Sequence, residues 1–262
     1  MRVHFDGPVV AYMSRDLEVA HVDTPVDQIA RTMHIRDVSG IPILDARGRL
    51  VGVITRTDLI SLGLLHGRRR STRSAMTLPH QRASDVMTHA PVDVSSATSL
   101  RHAARLMIDN DIHRVFVTEG GQIAGVISAV DLAAAVRDAK LAAPVSSIMT
   151  SPIATIDVHQ PLSVALDLLD RRHVTGLIVT EDDRPIGMFA QADALASRQL
   201  PGPSSIEDTY DPAVICLPDD MKLHRVAAHV ADLRVRRVVV CKAREPVGIV
   251  SATDFARVVA LS

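Results

Sequence analysis

"GVITRTD" runs from Gly52 to Asp58, and its near-copies set the frame of the whole chain. "GVISAVD" follows at 125–131, "GMFAQAD" at 187–193 and "GIVSATD" at 248–254. Each copy opens with glycine and closes with aspartate six residues later. A hydroxyl stands three residues before the aspartate at Thr55, Ser128 and Ser251, but the third copy has Ala190 there. The copies are spaced by 73, 62 and 61 residues, a period that marks a repeat architecture.

Other features keep the same register. A lead-in recurs as "YMSRD" (12–16), "VMTHAP" (86–91), "IMTSP" (148–152) and, in degraded form, "IEDTYDP" (206–212). A β-prone stretch comes next, then an apolar stripe at i, i+3, i+4 and i+7. The stripes are Val26, Ile29, Ala30, Met33; Leu100, Ala103, Ala104, Met107; Leu162, Ala165, Leu166, Leu169; and Leu223, Val226, Ala227, Val230. That spacing predicts a helix of about three turns with one buried face. Then "GIPIL" (40–44), "RVFV" (114–117), "GLIV" (176–179) and "RVVV" (237–240) read as strands, each joined by a polar turn to a strand that runs into the glycine-to-aspartate motif. Apolar-periodic helices over 57–65, 130–138, 192–198 and 253–260 close the units. Each unit is therefore β-α-β-β-α, in an α+β (mixed α/β) chain. A single unit has too little core to stand alone.

The predicted bounds are 8–66, 85–140, 145–200 and 204–262. The basic stretch 67–84, "GRRRSTRSAMTLPHQRAS", reads as a solvated linker, with a nucleic-acid-binding loop as the rival reading.

Composition narrows the function classes. The 262 residues are 47% hydrophobic, 2% aromatic and without tryptophan, which argues against a stacking platform for single-stranded nucleic acid. A formal net charge of −1 gives the molecule no overall pull on nucleic acid or acidic membranes. Apolar runs fall short of the roughly 18 residues of a membrane span, and the N-terminus does not read as a signal peptide. A cytoplasmic protein is expected. Cys216 and Cys241 read as reduced, buried small hydrophobes. The histidines include no HExxH pattern, and neither a P-loop nor a GxSxG nucleophile motif is found, so neither a metal site nor a catalytic site is expected.

Four such repeats, each ending in G-h-h-[ST]-x-x-D (h, hydrophobic) with an M-[TS]-x-x-P lead-in, resemble CBS domains. The resemblance covers residues 8 to 262. It implies that consecutive repeats pair through their sheets into Bateman modules, here 1–140 and 141–262, with clefts that bind adenosine-containing ligands. The arrangement is similar to the γ subunit of AMP-activated protein kinase, in which two modules form a disc.

The motif itself has two readings. As structure, hydroxyl and aspartate cap a helix, worth about 1 kcal/mol. As function, the aspartate accepts hydrogen bonds from ribose hydroxyls near a helix N-terminus that attracts phosphate. Ribose positions are then Thr55, Asp58, Ser128, Asp131, Ser251 and Asp254, with Asp193 alone in the third copy and its site the weakest. Fifteen or sixteen residues upstream of the hydroxyl position the repeats alternate: Ser39-Gly40, His113-Arg114, Thr175-Gly176, Arg236-Arg237. The resemblance makes His113, Arg114, Arg236 and Arg237 phosphate ligands, and Ser39, Gly40, Thr175 and Gly176 positions of close approach. The expected ligand is AMP, ADP or ATP, with no required cofactor. The expected assembly is a homodimer or a complex with a regulated protein, without membrane or nucleic acid. The alternatives are a ligand-free scaffold for an enzyme or transporter and a binder of S-adenosylmethionine, NAD or cyclic di-AMP.

Overall fold

The computed structural model describes residues 5–67, 78–182, 184–243 and 245–262. Most of the basic stretch 67–84 therefore lies outside the described residues. Repeat 1 contains β1 (Ala20–His21), α1 (Val26–Ile35), β2 (Gly40–Leu44), β3 (Leu50–Thr55) and α2 (Arg56–Gly67). A short helix α3 (Ala83–Val86) and β4 (Thr88–His89) precede repeat 2, which has β5 (Asp93–Val94), α4 (Leu100–Asp109), β6 (Arg114–Glu119), β7 (Gln122–Ser128) and α5 (Ala129–Asp138). Repeat 3 has β8 (Thr155–Asp157), α6 (Leu162–Arg171), β9 (Gly176–Glu181), β10 (Arg184–Ala190) and α7 (Gln191–Ala196). Repeat 4 has β11 (Cys216–Pro218), α8 (Leu223–Asp232), β12 (Arg237–Lys242), β13 (Glu245–Ser251) and α9 (Ala252–Leu261). The β-α-β-β-α order holds in all four.

Every residue of the four predicted stripes is buried. In each repeat the first strand pairs parallel with the second, as a crossover through a helix requires, and the second pairs antiparallel with the third across the polar turn. The hairpin register places the upstream pair opposite the hydroxyl position. Gly40 faces Thr55, Arg114 faces Ser128, Gly176 faces Ala190 and Arg237 faces Ser251. Two signals separated in sequence thus sit side by side on one hairpin.

Packing divides the chain into two compact units. The even unit holds the residues up to Leu17, Pro91–Ile153 and Ile215–Ser262, so it contains repeats 2 and 4. The odd unit holds Glu18–Ala90 and Ala154–Val214, with repeats 1 and 3. These units differ from the consecutive segments 1–140 and 141–262. The physical reason is helix packing: α4 and α5 share a core with α8 and α9, where Leu132, Val136, Val226, Phe255 and Val259 meet. Small residues at the contact, including Ala129, Ala133, Ala252 and Ala256, let these helices approach closely. In the odd unit Ile29, Met33, Leu59, Leu166 and Leu195 form the corresponding core.

The lead-ins are exchanged between consecutive repeats. Ser14, ahead of repeat 1, bridges Val126 of repeat 2, and β4, ahead of repeat 2, pairs with β3 of repeat 1. Thr150 bridges Ile249 and Asp211 bridges Met188 in the same way. This exchange explains the motif's glycine. A Cβ on Gly125 would meet the Ser14 carbonyl oxygen at 2.8 Å and Met13 Sδ at 2.9 Å, and one on Gly248 would meet Met149 Sδ at 2.6 Å. Met87 covers Gly52, and Tyr210 covers Gly187.

The cysteines depart from expectation. Cys216 is exposed and Cys241 is half-buried. Leu217 between them in pattern joins the core, so its neighbour Cys216 must face the other side of the sheet.

Gly125→Ala should lower stability by about 1–3 kcal/mol, because the added methyl group meets a fixed carbonyl oxygen. Gly7→Ala, where a Cβ meets nothing within 4 Å, should be close to neutral. Urea denaturation of the two variants checks the contrast.

Candidate functional site

The motif closes helix N-termini in every repeat. Asp58 Oδ2 accepts from Thr55 N at 2.8 Å and Thr55 Oγ1 at 2.7 Å. Asp131 Oδ2 accepts from Ser128 N at 2.8 Å and Ser128 Oγ at 2.6 Å. Asp254 Oδ2 accepts from Ser251 N and Ser251 Oγ, both at 2.8 Å. Asp193 keeps the backbone bond alone, from Ala190 N at 2.7 Å, because alanine offers no hydroxyl. The capping reading of the sequence is thus realised with one oxygen of each carboxylate. In repeat 4 the other oxygen is also occupied: Arg257 Nη1 donates to Asp254 Oδ1 at 2.5 Å.

The upstream pair is tied to the same corner. The carbonyl of its first residue accepts from the amide just after the hydroxyl position: Ser39 from Arg56, His113 from Ala129, Thr175 from Gln191 and Arg236 from Ala252, at 3.0–3.3 Å. Each repeat thus presents pair, hydroxyl and aspartate around one helix start.

Within the even unit, the corners of repeats 2 and 4 meet. His113 Nδ1 lies 3.1 Å from Thr253 Oγ1. The imidazole keeps solvent access, yet its protein surroundings hold its pKa below the ordinary histidine value. Desolvation is the first cause, followed by the charge of Arg114, with Arg237 and Arg236 adding smaller effects and Asp111 opposing them. All four predicted basic residues therefore act on one region. Arg114, Arg236 and Arg237 also engage in polar or electrostatic interactions within the fold. Burial raises the pKa of Asp131, opposed by its bonds from Ser128 and by the charge of Arg234.

The odd unit is built differently. Gln191 Nε2 donates to Thr57 Oγ1 at 3.1 Å, so repeats 1 and 3 meet at Thr57, the counterpart of Thr253, but through the residue after the hydroxyl position rather than through the upstream pair. Arg56, 4% exposed, donates to Asp37 Oδ1 at 2.7 Å and to the Met33 carbonyl oxygen at 3.4 Å. A cavity of about 270 Å³ opens beside it, lined by His34, Asp37, Arg56, Asp193, Leu195 and Asp211 among others. Asp193 is pushed up to about 6, chiefly by burial, with Asp211 adding to the rise and the Ala190 amide and Arg56 opposing it. Ser39, Gly40, Thr55 and Asp58 of repeat 1 and Thr175, Gly176 and Asp193 of repeat 3 all belong to this unit. The fifteen predicted residues thus fall into two groups, one per unit.

Sequence reasoning missed Arg56, Asp37, Asp211, Thr253 and Arg234. Arg56 carried a signal. A cation in the first turn of a helix opposes the helix dipole, so it calls for an anionic partner, and Asp37 supplies it. Among the described residues, no group of three or more His, Cys, Asp or Glu could hold a metal ion, and no helix is long and apolar enough to cross a membrane.

A family model described as "CBS domain" matches residues 9–64, 83–138, 145–199 and 206–261. This chain belongs to the CBS-domain family. Among CBS-containing and related proteins, it is 22% identical over 217 residues to an uncharacterized 33.4 kDa protein from the ribosomal RNA operon of Thermofilum pendens. That match covers 78% of this chain and 68% of the relative. Protein MJ1225 of Methanocaldococcus jannaschii, a proposed archaeal homologue of g-AMPK, has the same fold. Its TM-score is 0.81 at 14% identity, covering 96% of this chain and 99% of the other. An uncharacterized conserved protein from Pyrococcus horikoshii matches with a TM-score of 0.65 at 17% identity, covering 96% and 99%. The four-repeat CBS architecture expected from the sequence is the one observed.

Two outcomes follow from the odd third corner. Ala190→Ser places a hydroxyl at φ −116° and ψ 175°, close to the −117° and 168° of Ser128, so it should cap Asp193 and add about 0.5–1.5 kcal/mol in denaturant titration. Because the folded pKa of Asp193 lies above its unfolded value, its contribution is fully present below about pH 4 and is lost as pH rises through about 6. Melting curves from about pH 4 to about pH 7 should therefore show a decline that Asp193→Asn removes.

Proposed function

We propose that this chain is a regulatory protein that binds the adenine nucleotides AMP, ADP or ATP. The observation that carries the reading is the convergence of His113, Arg114, Arg236 and Arg237 on one region of the even unit. Gathering the half-buried guanidinium groups of Arg114, Arg236 and Arg237 around an imidazole is costly, and a phosphate chain offsets that cost through charge-assisted hydrogen bonds. Guanidinium groups supply planar forks suited to phosphate oxygens. Asp131 takes the ribose beside Ser128. Asp254 does so once Arg257 releases its second oxygen.

The odd unit is the weaker phosphate binder on this reading. Its upstream pairs, Ser39-Gly40 and Thr175-Gly176, carry no charge. Its cavity sets Asp37, Asp193 and Asp211 against Arg56, whose guanidinium already serves Asp37. Asp193 also lacks the neighbouring hydroxyl that Thr55, Ser128 and Ser251 supply. Repeat 3 is therefore the least occupied of the four.

The protein acts without chemistry of its own in this proposal. Occupancy favours one conformation over another, and a partner protein or a second copy in the cytoplasm reads the difference. That requires the nucleotide to bind the two states unequally. The hydrogen bonds that engage one oxygen of every motif aspartate internally favour a second reading, a scaffold whose motifs do nothing but cap helices.

A thermal-shift series with AMP, ADP and ATP separates the two. A nucleotide at about 100 times its Kd adds roughly 2.7 kcal/mol, which raises Tm by about 5–10 °C in a chain of this size. Asp131→Ala should reduce the shift for every nucleotide. Arg237→Ala should reduce it most for ATP. No shift with any of the three would favour the scaffold.

A further inference from the structure

The two cysteines of the chain lie on neighbouring strands. Strand β11 forms the edge of a three-stranded sheet beside β12, with Cys216 opposite Val239 and Pro218 opposite Cys241. Leu217, Val238 and Val240 point into the helical core, so Cys216 and Cys241 share the opposite face. Cys216 is exposed and Cys241 half-buried, so solvent reaches this face at β11. The Cys241 thiol is pushed up to about 11, first by burial and then by the neighbouring Cys216.

We propose that Cys216 and Cys241 form a reversible disulfide, a modification site oxidised by a hydroperoxide. In the first step the more accessible sulfur, Cys216, attacks a peroxide oxygen. The O–O bond breaks, Cys216 becomes a sulfenic acid and water leaves. In the second step Cys241 attacks the sulfenic sulfur, the S–O bond breaks and a second water leaves with the Cys241 proton. Two thiols and one hydrogen peroxide give one disulfide and two waters, with two electrons passing to the peroxide. A dithiol such as dithiothreitol returns both electrons.

Geometry makes this bond labile. Strands about 4.8 Å apart with a rise of about 3.3 Å per residue put Cα atoms offset by two residues roughly 8 Å apart. A relaxed disulfide wants less than about 7 Å. Closure therefore draws β11 along β12, and three residues at a sheet edge can move where a central strand cannot. A bond held under such strain has a more oxidising potential and is readily reduced, as regulatory disulfides are. Its closure tugs on β12, whose first residue is Arg237 of the basic group.

The test uses the full-length protein exposed to hydrogen peroxide, then alkylated with iodoacetamide and weighed intact. The expected product has lost two hydrogens, carries no alkyl group on either cysteine, runs as a monomer without reductant and regains both reactive thiols in dithiothreitol. Cys216→Ser should leave Cys241 open to alkylation after peroxide. Two thiols still alkylatable in the wild-type protein, a mass gain of oxygen atoms in place of the loss, or a cross-linked dimer would each overturn the proposal. The wild-type measurement stands whether or not the variant folds.

Discussion

A lead-in side chain lying on a bare glycine holds this protein in its present form. Met13 on Gly125, Met87 on Gly52, Met149 on Gly248 and Tyr210 on Gly187 repeat one contact four times. Each contact needs a flat strand backbone with no side chain in the way, and each joins a lead-in to the sheet of the neighbouring repeat in sequence. The glycine that opens the motif thus serves a packing purpose, separate from the capping purpose of the aspartate that closes it. Between them runs the third strand of each hairpin, whose register fixes the upstream pair opposite the hydroxyl.

Much of this was legible in the residues. The apolar stripes declared four helices because burial at i, i+3, i+4 and i+7 has no cheaper explanation. The four motifs gave the register, and Ala190 marked the corner that lacks a hydroxyl bond. The grouping of repeats was not legible. An alanine-rich face such as that of α5 states that another helix comes close, but not which one. Nor could the sequence report that Cys216 is exposed, since "VICL" reads as core until the edge position of β11 is known. Asp37 escaped notice because its bond to Arg56 joins a helix end to a helix start 19 residues away.

The two units differ in charge more than in fold. One gathers imidazole and guanidinium groups around capped aspartates. The other closes the buried Arg56 with Asp37 and leaves Asp193 and Asp211 to share a cavity. Four copies of one unit have in this way become two electrostatic environments. The change needed no new element, since it rests on the upstream pairs and on the residue following each hydroxyl.

The exchanged lead-ins also bear on how the chain is made. The Ser14–Val126 bridge closes a loop of 112 residues, so the first lead-in has no sheet to join until the second hairpin exists. At about 5–20 residues per second, a ribosome takes roughly 6–20 s to deliver that partner. Throughout that interval Val9 and Met13 have no native cover, and the nascent segment must stay soluble by itself. Helix α1, built from local contacts, is complete well before then. The lead-in and its sheet thus come together only when synthesis has reached the second hairpin.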